Sequence, residues 1–197
     1  MTSSADLKRA KRAVRRRVLA SRDAMSASER ERASARIVDL VMSLPEVERA
    51  SVVMVFWSFG SEPDTAALLE ALHARHVRVA LPRLVDGEME PHAYAPGDTV
   101  SETSFGAREP SAGEPLDPSA IDVVVTPAVA FDRMGRRVGY GGGYYDRFFQ
   151  RTRPDAFRVG VGFDVQLIDD ALPSGRFDRE LDGVVTESGV VRFDRPT

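Results

Sequence analysis

SVVMVFWSFGSEPDTAALLEALHARHVRVAL, residues 51–81, carries three successive patterns. Ser51–Trp57 is a short, almost wholly apolar run rich in Val and aromatics, the composition of a strand buried on both faces. A turn with Gly60 and Pro63 follows, and Thr65–His76, rich in Ala and Leu, has the composition of a short helix. Val77–Leu81 reads as a second strand closed by Pro82. Strand, helix and strand at this spacing form a parallel unit, because two parallel strands need a crossover of a dozen or more residues.

The chain on either side extends this unit. Asp86-Gly87 is a hairpin turn signal between Leu84–Val85 and Met89–Tyr94. Pro96–Ser119 is rich in Gly, Pro, Ser and acids and reads as a long loop. Ile121–Thr126 is a central strand, Tyr144–Arg151 a helix and Phe157–Phe163 a further strand, with short terminal strands at Gly183–Thr186 and Val190–Phe193. Upstream, Leu7, Ala10, Val14 and Val18 recur at helical spacing, predicting a basic helix over residues 5–23. A second helix, capped by Ser26 or Ser28, runs to about Leu44 and stops before Pro45. The expected fold class is α/β: a single three-layer domain over residues 1–197, with a mostly parallel central sheet, helices on both faces and an antiparallel hairpin.

Composition narrows the chemistry. No cysteine is present, which excludes disulfides, thiolate nucleophiles and zinc–thiolate sites. His73, His76 and His92 form no recognisable metal spacing. No apolar segment follows the charged N-terminus, and the apolar runs are too short to span a bilayer, so a soluble cytoplasmic protein without a membrane partner is expected. Charge is unevenly spread. Residues 1–22 carry eight Lys/Arg and one Asp, net +7, against 19 basic and 29 acidic residues in the remainder, net −10. A basic arm on an acidic body suits nucleic acid, a membrane surface or a polyphosphate ligand.

The loop Gly135-Arg136-Arg137-Val138-Gly139-Tyr140-Gly141-Gly142-Gly143-Tyr144-Tyr145-Asp146-Arg147 follows a predicted strand and opens a predicted helix. Glycines let backbone approach a ligand closely, N–H groups at a helix start attract anions, and Arg137 adds a planar donor fork suited to phosphate. A P-loop would need Gly-Lys-Ser/Thr, and the dinucleotide fingerprint a different glycine spacing. By spacing alone, a tight turn without a ligand remains an alternative.

This segment resembles the signature of the 5-formyltetrahydrofolate cyclo-ligases, Gly-x-Arg-Leu-Gly-x-Gly-x-Gly-x-Tyr-Asp, with Val138 in place of Leu. Shorter pieces match in the same order. They are Glu62-Pro63-Asp64-Thr65, Leu81-Pro82-Arg83, Gly106–Pro110, Phe131-Asp132, Gln166 and the run from Asp178 to Glu187. Pro63 departs from the family's apolar residue. The resemblance covers nearly the whole chain.

What the resemblance implies is an ATP- and Mg²⁺-dependent closure of 5-formyltetrahydrofolate to 5,10-methenyltetrahydrofolate. In it the formyl oxygen attacks the γ-phosphate, N10 attacks the phosphorylated imidate and phosphate leaves. The family's Lys-x-x-x-Arg element fits Lys8/Arg12 or Lys11/Arg15. The second register is preferred because Arg22 supplies a further family Arg. By the same resemblance ATP is held by Lys11, Arg15, Arg137, Val138, Gly139, Tyr140, Gly141, Gly142, Gly143 and Tyr145. Folate is held by Trp57, Glu62 and Tyr140 to Tyr144, catalysis falls to Arg137 and Tyr144, and Mg²⁺ to Asp146 and Asp178. Each residue has a plainer reading: Trp57 as core, Glu62 as a surface loop acid, Asp146 as helix-dipole compensation, the basic helix as solvated surface. Small-molecule partners, no nucleic acid and a monomer are expected. The alternatives are an enzyme of this scaffold acting on another N-acyl substrate, or an RNA-binding protein using the basic helix.

Overall fold

A computed structural model describes residues 3–103 and 108–193. In chain order the helices α1 (Ser4–Asp23), α2 (Ala27–Met42) and α3 (Pro45–Glu48) precede strand β1 (Val52–Met54), helix α4 (Ala66–Ala74) and the strands β2 (Arg78–Val85) and β3 (Glu88–Tyr94). Strands β4 (Val100–Glu102), β5 (Arg108–Pro110), β6 (Val123–Pro127), β7 (Ala130–Asp132) and β8 (Arg137–Val138) follow. Helix α5 (Tyr144–Phe148) and strands β9 (Phe157–Val161), β10 (Leu167–Ile168), β11 (Gly183–Thr186) and β12 (Gly189–Arg192) complete the order.

The main sheet runs β12-β11-β9-β6-β1-β2-β3. Its inner pairs are parallel, and the two edge pairs, β12 with β11 and β2 with β3, are antiparallel. Strand alternation sorts the side chains between two faces. Val53, Val79, Val123, Val125, Val159 and Val185 pack with Ile37 and Val41 of α2 and Leu68 and Leu72 of α4. Met54, Ala80, Val124 and Val184 face the other way, toward Phe131, Phe148 and Phe149. Helices therefore cover both faces, as the sequence predicts. A smaller sheet, β10-β7-β8, lies under α1, where Val14 and Val18 pack against Val129, Ala130, Val138 and Leu172. Gln166 anchors that layer: its side-chain amide donates to the carbonyls of Ala128 (2.8 Å) and Val129 (3.2 Å).

Local signals explain most element ends. Ser26 and Glu29 form a reciprocal capping box at the start of α2. Asp86 and Gly87 take φ of 51° and 83°, the two left-handed positions that a tight hairpin turn with the natural strand twist requires. Several expectations need correction. Pro45 does not merely follow a helix; it occupies the first turn of α3, where its missing N–H has no intrahelical partner to lose. Pro82 does not close β2, which continues to Val85. Pro82 pairs with Pro91, a register position where the antiparallel ladder asks neither residue for an N–H. The strand expected over Ser51–Trp57 is shorter, Val52–Met54, because the chain turns toward the loop that carries Glu62. Within Pro96–Ser119 the chain forms a two-stranded ribbon, β4 with β5, tied to the main hairpin where Glu109 accepts from the Leu84 N–H at 3.2 Å. Gly106 and Ala107 of the family-like segment lie outside the described residues.

Candidate active site

The glycine-rich loop joins β8 to α5. Its approach is fixed by Asp132 at the end of β7, whose carboxylate accepts from the N–H groups of Met134 (2.8 Å), Arg136 (3.0 Å) and Leu172 (2.9 Å). Gly141 has φ of 114°, a conformation that side chains rarely adopt, and Gly143 caps α5 from the left-handed region. At Gly142 a Cβ would lie 2.4 Å from the Tyr144 ring, so a side chain there would have to displace that ring.

This loop forms one wall of a cleft of ≈ 680 Å³. The opposite wall is α1, which contributes Lys8, Lys11, Arg12 and Arg15, and the rim carries Phe177 and Asp178. Residues 8, 11, 12 and 15 recur at helical spacing, so both registers of the Lys/Arg pair face the cleft. Of these four, among the described residues, Lys11 and Arg15 are held in place by hydrogen bonds within the cleft: Lys11 Nζ lies 2.5 Å from Asp178, and Arg15 Nε donates to the Gly139 carbonyl at 2.6 Å. Burial, then the neighbouring Arg12 charge, lowers the Arg15 pKa.

Arg137 is buried, and its guanidinium donates to the Asp146 carboxylate at 2.5 Å and to the Arg179 carbonyl, with the Phe149 ring 4.9 Å from its Cζ. Burial lowers its pKa, and the charges of Asp146 and Asp178 oppose the shift. Asp146 also accepts from the Arg179 N–H at 3.0 Å, and Asp178 from the Gly175 N–H at 2.8 Å. Two of the three cations expected on phosphate and the two carboxylates expected on metal thus form two ion pairs, Lys11–Asp178 and Arg137–Asp146. Among the described residues no cluster of three or more His, Asp or Glu is arranged around a common point. Two carboxylates suit an Mg²⁺ ion that completes its shell with phosphate and water.

Beyond the loop lies an acidic corner. The Tyr140 hydroxyl donates to Glu62 Oε1 at 2.8 Å, and Glu62 Oε2 accepts from the Phe59 N–H at 3.2 Å. Glu62 is 7% exposed, and burial pushes its pKa up to about 7 against the opposing pull of those hydrogen bonds and of Arg22. Almost half of Tyr140 is exposed, yet its hydroxyl turns toward buried partners, and burial followed by the Glu62 charge raises its pKa. Tyr145 is likewise raised, mainly by burial, then by Glu62.

One cleft therefore collects Lys11, Arg15, Arg137, Gly139 to Asp146 and Asp178, with Val138 buried behind it and Glu62 joined to it through Tyr140. Trp57 is not brought to the cleft wall. Its ring meets Tyr94 edge-on at 5.6 Å, with Arg108 5.9 Å from its centroid. Leu7 and Phe177, which line the cleft, have no motif that a sequence reading could have caught.

The family model for the 5-formyltetrahydrofolate cyclo-ligase family matches residues 7–187. The 5-formyltetrahydrofolate cyclo-ligase of Escherichia coli K12 is 35% identical over 179 residues, covering 86% of this chain and 96% of that protein. The one from Haemophilus influenzae is 29% identical, covering 85% and 92%. The solution structure of Aquifex aeolicus 5,10-methenyltetrahydrofolate synthetase superposes with a TM-score of 0.81 at 30% identity, covering 95% of this chain and 94% of that one. A synthetase of that name from Mycoplasma pneumoniae, 20% identical with a TM-score of 0.73, shares the fold.

Proposed function

The chain belongs to the 5-formyltetrahydrofolate cyclo-ligase family, and on that premise we propose that it closes 5-formyltetrahydrofolate to 5,10-methenyltetrahydrofolate at the expense of ATP, with Mg²⁺. The observation that carries this reading is the composition of the cleft. A basic helix face, a glycine-rich loop and two carboxylates share one cavity, with an ionisable acid linked to it through one phenol. The first three suit a metal–nucleotide, and the last suits the N–H groups of a pterin.

In the reaction the formyl oxygen on N5 attacks the γ-phosphorus and ADP leaves. N10 then attacks the carbon that bears the phosphorylated oxygen, and departure of phosphate together with the N10 proton leaves the methenyl bridge. Phosphorylation makes a poor leaving oxygen a good one, so no protein nucleophile is needed. The protein aligns two substrates and neutralises charge on the moving phosphoryl group. Lys11 and Arg15 supply cations from one wall, and loop N–H groups and Arg137 act from the other. Tyr144 lines the same cavity from the loop side, and in this reading it is the side chain that borders the reacting atoms. Asp146 and Asp178 would hold Mg²⁺, which when bound neutralises phosphate charge. Their engagement would free Arg137 and Lys11 to turn to phosphate. Glu62 and Tyr140 orient the folate, with Trp57 as an outer contact.

ADP release is the discriminating assay. It should require 5-formyltetrahydrofolate, and other N-formyl or N-acyl compounds should not replace it. ADP release driven equally by an unrelated N-acyl compound would favour the alternative substrate class.

A further inference from the structure

The basic helix contributes one residue from outside the lining of the cleft. Arg22, in the last turn of α1, is 3% exposed. Its Nε donates to the Ser61 hydroxyl at 2.9 Å, and its Nη2 donates to the Tyr140 hydroxyl at 3.1 Å. Ser61 in turn donates to Asp23, the neighbour of Arg22. The end of α1 therefore grips the residue before Glu62 from two adjacent positions. Tyr140 is gripped as well. It accepts from Arg22, so its own proton is committed to Glu62 Oε1. The Phe59 ring lies 5.3 Å from that of Tyr140 and the Phe59 N–H closes on Glu62 Oε2, so the corner is packed from a third side. The Nη1 of Arg22 is buried without a partner among the described residues. A cation this deep with a donor left over is costly unless its other bonds fix something the site needs.

We propose that Arg22 is a positioning residue for folate: it orients the Tyr140 hydroxyl and the Glu62 carboxylate as one unit and ties that unit to the helix whose other residues face the nucleotide. This rests on the folate reading of Glu62 and Tyr140 given above. The groups that face Glu62 are Tyr140 from the glycine loop, Arg22 from α1 and Tyr145 from α5. Removing the guanidinium takes away the one cation among them, so Glu62 should hold its proton to higher pH.

Arg22→Met and Arg22→Lys test the idea by steady-state kinetics in each substrate, with wild-type turnover as the control. The expected result for Arg22→Met is a KM for 5-formyltetrahydrofolate raised about tenfold, the loss of one charge-assisted hydrogen bond, with the KM for ATP within about twofold. The Glu62 limb of the kcat/KM profile for folate should move to higher pH. Arg22→Lys should restore that limb better than it restores KM, because an ammonium keeps the charge and loses the fork. Equal loss for both substrates, or a folate KM unchanged in a folded Arg22→Met, would overturn the proposal while leaving the folate reading intact. Absence of folate turnover in the wild-type protein would instead remove that reading.

Discussion

Glu62 is held in a state that costs the fold something. Its carboxyl titrates at about 7, above its ordinary value of 4.5. Between these values the folded protein binds more protons than the unfolded chain, so stability should fall as pH rises through that window and stay low above it. Glu62→Gln removes the titration. It should be more stable than wild type at pH 8, by up to about 3 kcal/mol, and should lose that advantage near pH 5. The gain is reduced by whatever the amide loses against the Phe59 N–H. Denaturant melts at the two pH values check it, and the variant should bind folate poorly. Arg137 shows the opposite dependence of fold on function. Its burial against Asp146, the Arg179 carbonyl and Phe149 means that Arg137→Ala strands a carboxylate. Loss of about 3–5 kcal/mol of stability is expected along with weakened ATP binding, and a calorimetric melt beside an ATP titration separates the two losses. Neither consequence is legible in the sequence. The string around Gly139 shows a phosphate-like loop, but burial of Arg137 depends on a carbonyl 42 residues away.

Helix α1 shows what a periodic element can hide. Positions 8, 11, 12 and 15 share one face, so no periodicity distinguishes Lys8/Arg12 from Lys11/Arg15, and all four line the cleft. Tertiary partners distinguish them: Asp178 for Lys11 and the Gly139 carbonyl for Arg15. Lys11→Met should weaken ATP binding by about 1.5–3 kcal/mol, whereas Lys8→Met should cost well under half as much, as measured by nucleotide titration of folded variants. The glycine loop was more legible. Its glycines are decided locally, by φ at Gly141 and by the Tyr144 ring against Gly142. Gly142→Ala should displace that ring and lower kcat more than it lowers melting temperature, a comparison that one preparation allows. The hairpin prolines lie between these cases: Pro82 looks like a stop in one dimension and becomes permissible only once Pro91 is placed opposite it.

Across the whole molecule, the parallel unit of residues 51–81 and the central strands were readable because burial on both faces demands unbroken apolar runs. Those runs are Val53 to Phe56 and Val123 to Val125. The Arg22–Tyr140–Glu62 chain was not readable, since it joins segments far apart in sequence through single side chains, and the β4–β5 ribbon was not, since it lies in a stretch of Gly, Pro, Ser and acids that carries no apolar strand run. The uneven charge of the chain finds one expression in the fold, because part of the basic face of α1 is turned onto the protein's own cleft. The most direct measurement is the absorbance of the methenyl bridge when the purified protein is mixed with 5-formyltetrahydrofolate, ATP and Mg²⁺, with each component omitted in turn. The predicted result is catalytic growth of the methenyl band only in the complete mixture. A folded protein that gives no methenyl product at saturating substrates, or gives it equally without ATP, would contradict the proposed reaction.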